Sequence, residues 1–158
     1  MLFRSILYRR NPRIKGTVID LVEEQFVEAD SSNNYTPSYL FGMYLHDSFF
    51  RVGNCDLRLG ETEELYYAGN IGYHVDLPYR GNHYAYEACL LLFDKAKALG
   101  LSSLIITCSP ENEASRKTLE KLKGTYLETV DVPSDHWLYQ RGETVKRIYR
   151  YSLNGTGL

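Results

Sequence analysis

Residues 76–100, DLPYRGNHYAYEACLLLFDKAKALG, bring an arginine, a glycine and two polar side chains to the start of a helix-like run. The first N–H groups of a helix have no acceptor within it, and the helix dipole adds roughly half a positive charge at the same end. Arg80 places a full charge beside them, so the combination suits an anion. Gly81 permits close approach of the backbone, and the small Ala85 leaves room on the first turn for a bulky group such as a pyrophosphate. The same residues also read as a plain turn, with Asn82 as a helix cap and Arg80 as a solvated surface charge.

Other chemistries find less support. Cys55, Cys89 and Cys108 form neither an even set nor a C-x-x-C pair, and the four histidines are scattered, which implies buried reduced thiols and no metal site. With 18 Lys+Arg against 20 Asp+Glu and a net charge of −2, nothing favours nucleic acid or anionic lipid as a partner. No apolar run approaches the roughly 18 residues that would span a bilayer, and MLFRSILYRRNPRIKG is too interrupted by arginine for a secretory signal. The expectation is a single cytoplasmic domain over residues 1–158.

The elements that must position the site follow from periodicity. GTVIDLVEEQFVEAD reads as a strand with imperfect alternation. SYLFGMYLHD alternates better, and RVGNCDLRLG sets Cys55, Leu57 and Leu59 against Asn54, Asp56 and Arg58. LYYAGNIGYHVD reads as a fourth strand, with Tyr67, Ile71, Tyr73 and Val75 on one face. After Arg80 the period lengthens, which predicts a helix from His83 to Leu99 ended by Gly100. SLIITCS is a buried strand, and SPENEASRKTLEKLKG a second helix started by Ser109-Pro110 or by Asn112 and stopped by Gly124. TYLETVDV and VKRIYRYSL close the chain as strands around the loop PSDHWLYQRGE. The strand–helix–strand unit over residues 67–108 calls for a right-handed crossover and a parallel pair within an otherwise antiparallel sheet, a mixed α/β (α+β) architecture.

From about Ser48 to Leu153 the chain resembles the GNAT superfamily of acetyl-CoA-dependent N-acetyltransferases, with ribosomal-protein alanine N-acetyltransferases the nearest subgroup. The family's loop, Q/R-x-x-G-x-G/A after a strand, is matched by RGNHYA, with Arg80 first and Ala85 last. His83 stands in the central glycine slot. The family's N-x-x-A/S helix start is matched by Asn112 and Ser115 in NEAS. The resemblance implies the GNAT fold, acetyl-CoA as co-substrate and no metal. It implies a cofactor site of Arg80, Gly81, Asn82, His83, Tyr84 and Ala85 for the pyrophosphate. Tyr73, His74 and Val75 would offer backbone groups to the pantetheine arm, with Asn112 and Ser115 opposite. A homodimer is compatible with it.

Catalysis in such a site is positioning of an amine against a thioester, with a base for the amine and an acid for the leaving thiolate. Relatives place a tyrosine seven residues after the helix-opening asparagine as the acid; here that position is Leu119. Others carry a carboxylate base on the strand before the loop, and residues 67–75 contain none. His74, Tyr126 and Tyr139 are the remaining proton-carrying candidates, and no catalytic residue is assigned. In place of the family's two helices between the first strands, DSSNNYTP is a short polar connection, which implies an open acceptor cleft for a peptide or small-molecule amine. The loop with Asp135, Trp137 and Tyr139 would wall it, or would be a surface loop with one buried aromatic anchor. The alternative function is a non-catalytic module that binds acyl-CoA or mediates protein contacts, favoured by His83 and Leu119.

Overall fold

A computed structural model describes residues 12–30, 32 and 36–154; the segment MLFRSILYRRN and part of the DSSNNYTP connection lie outside them. The elements are β1 (Arg13–Lys15), β2 (Ile19–Val27), β3 (Ser38–Leu45), β4 (Arg51–Arg58), α1 (Glu63–Ala68), β5 (Ile71–Val75), a 3-10 turn (Leu77–Tyr79), α2 (Tyr84–Ala98), β6 (Ser103–Cys108), α3 (Glu113–Lys121), β7 (Thr125–Asp131), α4 (Trp137–Gln140) and β8 (Val145–Ser152). Strands β1 to β5 form one sheet in chain order, antiparallel throughout, and β6-β8-β7 form a second antiparallel sheet. Ala88, Cys89, Leu92 and Ala96 of α2 are fully buried in one core with Leu21, Met43, Leu57, Leu104, Ile106 and Tyr149. All three cysteines are buried and free, and burial pushes the Cys89 thiol up to about 12. No helix among the described residues is long and apolar enough to cross a membrane.

Three differences from the sequence reading have local causes. The strand expected to begin near Tyr67 starts only at Ile71, because Glu63–Ala68 is helical: the Thr62 hydroxyl accepts the Leu65 N–H at 3.2 Å, and two glutamates occupy the first turn. The imperfect alternation of β2 is a bulge at Glu24, where the register with β3 shifts between Glu23 and Gln25. Helix α3 is ended by Lys123 at φ 61°, not by Gly124, which packs so tightly on Tyr151 that an added Cβ would lie 2.5 Å from its ring.

The expected pairing of β5 with β6 is not a ladder. The two sheets meet at Asn70, only 5% exposed, whose own N–H donates to the Ile105 carbonyl at 2.7 Å while its side-chain oxygen accepts the Ile105 N–H at 2.8 Å. Its side-chain amide donates to the carbonyls of Arg58 (2.9 Å) and Gly60 (3.0 Å), so one residue ties β4 and β6 to the start of β5. Gly69, at φ +83°, allows this approach, since a Cβ there would lie 3.3 Å from the Thr107 nitrogen. Past the clasp no strand pairing joins β5 to β6, so that edge of β5 has no strand partner.

A second buried polar group holds the far side of the sheet. Asp20 is fully buried and accepts hydrogen bonds from Arg13 Nε (2.7 Å), the Gly16 N–H (3.0 Å), His46 Nδ1 (2.8 Å) and the Asp47 N–H (2.9 Å). Burial alone would raise its carboxyl, but the bonds from Asp47, His46, Arg13 and Gly16 overrule it and hold the pKa at about 2 against an ordinary 3.8. Because the folded value is depressed, the stabilisation is fully present above the ordinary value and is lost as the pH falls through the folded one. It amounts to about 2 kcal/mol. Urea denaturation of Asp20→Asn should show lower stability at neutral pH and a shallower loss between about pH 4 and pH 2 than the unaltered protein. Asn70→Ala should cost about 3 kcal/mol in the same measurement, because the Ile105 N–H and two carbonyls lose their partners in a buried setting.

Candidate functional site

The residues after β5 turn sharply into α2. The 3-10 turn is closed by the Tyr79 N–H on the Asp76 carbonyl at 2.9 Å, and the Asn82 side chain donates to the Tyr79 carbonyl at 2.9 Å. Asn82 therefore braces the turn. The helix-cap position belongs to His83, at φ 61° and ψ 25° with no side-chain cap bond. Gly81 has φ +87° and nothing within 4 Å of where its Cβ would stand, so conformation requires the glycine there and crowding by the protein does not. The left-handed conformation of His83 also accounts for the family's glycine in that slot: histidine adopts it at a cost that glycine does not incur.

The first bond within α2 runs from the Glu87 N–H to the His83 carbonyl at 3.2 Å, which leaves the N–H groups of Tyr84, Ala85 and Tyr86 without helical acceptors. The Glu87 carboxylate is turned away from this end. It accepts the N–H groups of Thr17 (2.5 Å), Val18 (3.1 Å) and Ile19 (3.3 Å), which docks the helix on the start of β2 and keeps its own negative charge off the free N–H groups. Arg80 is exposed, with Nε donating to the Val75 carbonyl at 2.8 Å. The rest of the guanidinium remains available to an anion.

Facing this turn is the start of α3. Asn112 caps the helix through its oxygen, which accepts the Ser115 N–H at 3.1 Å, and its NH₂ group remains free to donate. The Ser115 hydroxyl lies 2.5 Å from the Tyr73 hydroxyl, a link from α3 to β5. Burial pushes the Tyr73 phenol well above the ordinary tyrosine value, so it stays protonated. Between these elements is a cavity of about 650 Å³. All of the sequence-derived positions line it: Tyr73, His74, Val75, the run from Arg80 to Ala85, Asn112 and Ser115. Lys117 and Lys121 add positive charge that the sequence reading did not single out, although their spacing on α3 places them on one face; Lys117 pairs with Glu113 at 3.1 Å and Lys121 lies 4.3 Å above the Tyr86 ring.

The proton-carrying candidates fare differently. Leu119 is fully buried in the core, so its position offers nothing to the cavity. Tyr126 is bonded to Thr129 at 2.7 Å on the outer strand β7, and neither it nor Tyr139 lines the cavity. His74 lines it, exposed, with Nε2 3.6 Å from Asp76.

A larger cleft of about 1230 Å³ opens between β3, β4, α1 and the β7–β8 connection. Asp135 and Trp137 line it as expected of an acceptor wall, and Tyr139 does not. The buried anchor of that connection is Leu138, not an aromatic residue. Trp137 is held by its indole N–H on Glu64 at 2.7 Å, and His136 Nε2 lies 3.0 Å from the Glu64 carbonyl. Asp56, Arg58, Glu63, Glu64 and Tyr67 complete the lining that matters chemically, and acidic groups outnumber basic ones. None of these five is marked as a site residue by the sequence reading, in which Glu63 and Glu64 fall in a polar hairpin loop, Tyr67 on a strand, and Asp56 and Arg58 on the polar face of β4.

Comparison with known proteins adds the following. Residues 8–125 match the family model described as an acetyltransferase (GNAT) domain. No curated protein matches the sequence significantly. Among solved structures, the ribosomal-protein-S5-alanine acetyltransferase from Vibrio fischeri aligns with a TM-score of 0.67 at 14% identity, covering 91% of this chain and 98% of that one. An acetyltransferase from Agrobacterium tumefaciens aligns at 0.62 and 18% identity over 89% and 94% of the two chains. The ribosomal L7/L12 α-N-protein acetyltransferase RimL, in complex with coenzyme A, aligns at 0.64 and 12% identity over 89% and 98%.

If His83 is strained as its backbone indicates, His83→Gly should stabilise the fold by about 0.5–1 kcal/mol, the left-handed penalty less the extra entropy of glycine. Equilibrium unfolding in urea measures this directly.

Proposed function

The chain belongs to the GNAT acetyltransferase family, and on that premise we propose that it is an N-acetyltransferase that moves the acetyl group of acetyl-CoA to a primary amine. The observation that carries the reading is the 650 Å³ cavity, where free helix N–H groups, Arg80 and the open edge of β5 converge. The pyrophosphate would lie on the N–H groups of Tyr84, Ala85 and Tyr86 beside Arg80, the helix dipole and a full charge acting together. The pantetheine amides would pair with the unpaired edge of β5 as an added strand, with Asn112 donating from the other wall. That path takes the thioester toward the narrow end of the gap that Asn70 closes.

The 1230 Å³ cleft supplies the acceptor side. Its excess of carboxylates favours an ammonium group, and Trp137 and Tyr67 offer ring surfaces to a cation or to an aliphatic chain. A peptide N-terminus, a lysine or a small-molecule amine meets these requirements. The second reading, a domain that binds acyl-CoA without turnover, is favoured by the burial of Leu119, which removes the usual acid from the site.

Thermal denaturation with added acetyl-CoA or coenzyme A tests what the two readings share, because a ligand bound only by the folded state raises its stability. Free-thiol release from acetyl-CoA on addition of amines separates them. Arg80→Ala should weaken coenzyme A binding roughly tenfold, the effect of losing one charge-assisted contact to phosphate. Isothermal titration of both proteins measures it, and equal affinities would return Arg80 to the solvated surface.

A further inference from the structure

The strand between cavity and cleft carries no carboxylate, but its neighbour does. Asp56 on β4 is the direct register partner of Gly72 on β5. An added Cβ on Gly72 would lie 2.6 Å from Asp56 Oδ1 and 2.7 Å from an Arg58 terminal nitrogen, so this acid–base pair leans over the bare backbone of β5. Arg58 is itself fixed: its Nε donates to Asp56 Oδ2 at 2.6 Å and its Nη1 to the carbonyls of Ala68 (3.1 Å) and Gly69 (3.3 Å). Oδ1 has no hydrogen-bond partner among the described residues, and both side chains line the acceptor-side cleft. The Asp56 side chain is 19% exposed. Burial raises its pKa, and the opposing pull of Arg58 does not cancel the rise, which makes the carboxylate a better base than a surface aspartate.

We infer that Asp56 is the proton acceptor for the incoming amine, reaching across Gly72 from the adjacent strand in place of a carboxylate on β5 itself. This rests on the acetyl-transfer reading above. The ammonium group gives one proton to Asp56 Oδ1, directly or through one water. The freed nitrogen lone pair then forms the N–C bond at the thioester carbonyl. As the C–S bond breaks, the electron pair leaves with sulfur, the second nitrogen proton neutralises the thiolate, and Asp56 returns its proton to solvent. Arg58 is a positioning residue that holds Oδ2 and aims Oδ1 into the cleft. Gly72 is required to be bare, since any side chain would displace the pair.

The test is free-thiol release from acetyl-CoA by the unaltered protein and by Asp56→Asn, with two kinds of nucleophile: a panel of alkyl monoamines, diamines and short peptides, which are protonated at neutral pH, and hydroxylamine, which is not. Asp56→Asn should reduce alkylamine-driven release at neutral pH about 100-fold or more and replace its plateau by a rate that climbs with pH toward the amine's own ionisation, while hydroxylamine-driven release changes less than threefold. Coenzyme A affinity should be unchanged. Equal loss with both nucleophiles would show a structural role and overturn the assignment, as would a variant that keeps the alkylamine rate and pH profile; in either case the transfer reading stands. An unaltered protein that binds coenzyme A yet releases no thiol with any amine would overturn the transfer reading and this assignment together.

Discussion

The arrangement depends on a gap between two strands, held open above a single closed point. Asn70 satisfies both backbone groups of Ile105 and two carbonyls at the end of β4, so the sheets are joined at one end of β5 without continuing as a ladder. A buried amide with every group bonded makes a rigid junction, whereas an apolar residue there would leave backbone groups unsatisfied. Beyond that junction no ladder joins the two strands, which leaves that edge of β5 without a strand partner. Gly69 serves the same junction from the other side: its φ of +83° favours glycine, and an added Cβ would press on the Thr107 nitrogen and Ile105 carbonyl at 3.3 and 3.4 Å.

Electrostatic polarity follows from how α2 is anchored. Its first-turn glutamate is bonded to the loop before β2 and the start of that strand, so the helix N-terminus lines the cavity without its own carboxylate engaging the first N–H groups. The 3-10 turn Leu77–Tyr79 brings Arg80 back to the end of β5, and the left-handed residues Gly81 and His83 then bend the chain into α2. Lys117 and Lys121 approach from α3. The opposite side of β5 has the reverse character, with carboxylates from β4, α1 and the β7–β8 connection around the larger cleft. The two regions thus differ in charge, basic around the cavity at the end of β5 and acidic around the cleft beside β4. Acetyl transfer needs thioester and amine within bonding distance.

The turn chemistry was legible in sequence because it is local. Arg80, Gly81 and the helix that follows are written in consecutive residues, and Asn112 caps α3 within the four-residue pattern that marks it. The extent of α2, the alternation on β4 and the burial of the cysteines follow from periodicity and composition in the same way. Where one short signal competed with another, the reading slipped. Thr62-Glu63-Glu64 is a helix start, but the tyrosines after it are strand-formers, and the cap prevailed. Lys123 took the left-handed position expected of Gly124 because Gly124 was needed against Tyr151.

What the sequence determined by itself was the family, most of the strands, the two long helices and the turn from Arg80 to Ala85, since caps, helical periods and backbone conformations are set by neighbours a few positions away. Tertiary structure alone decided that Asn70 is a junction, that Asp20 gathers four donors, that Leu119 is core and that Asp56 stands over Gly72. Each of these is a meeting of residues far apart in the chain, and such meetings depend on strand register and helix docking. A shift of one residue in either would turn the same side chains to the other face of the sheet.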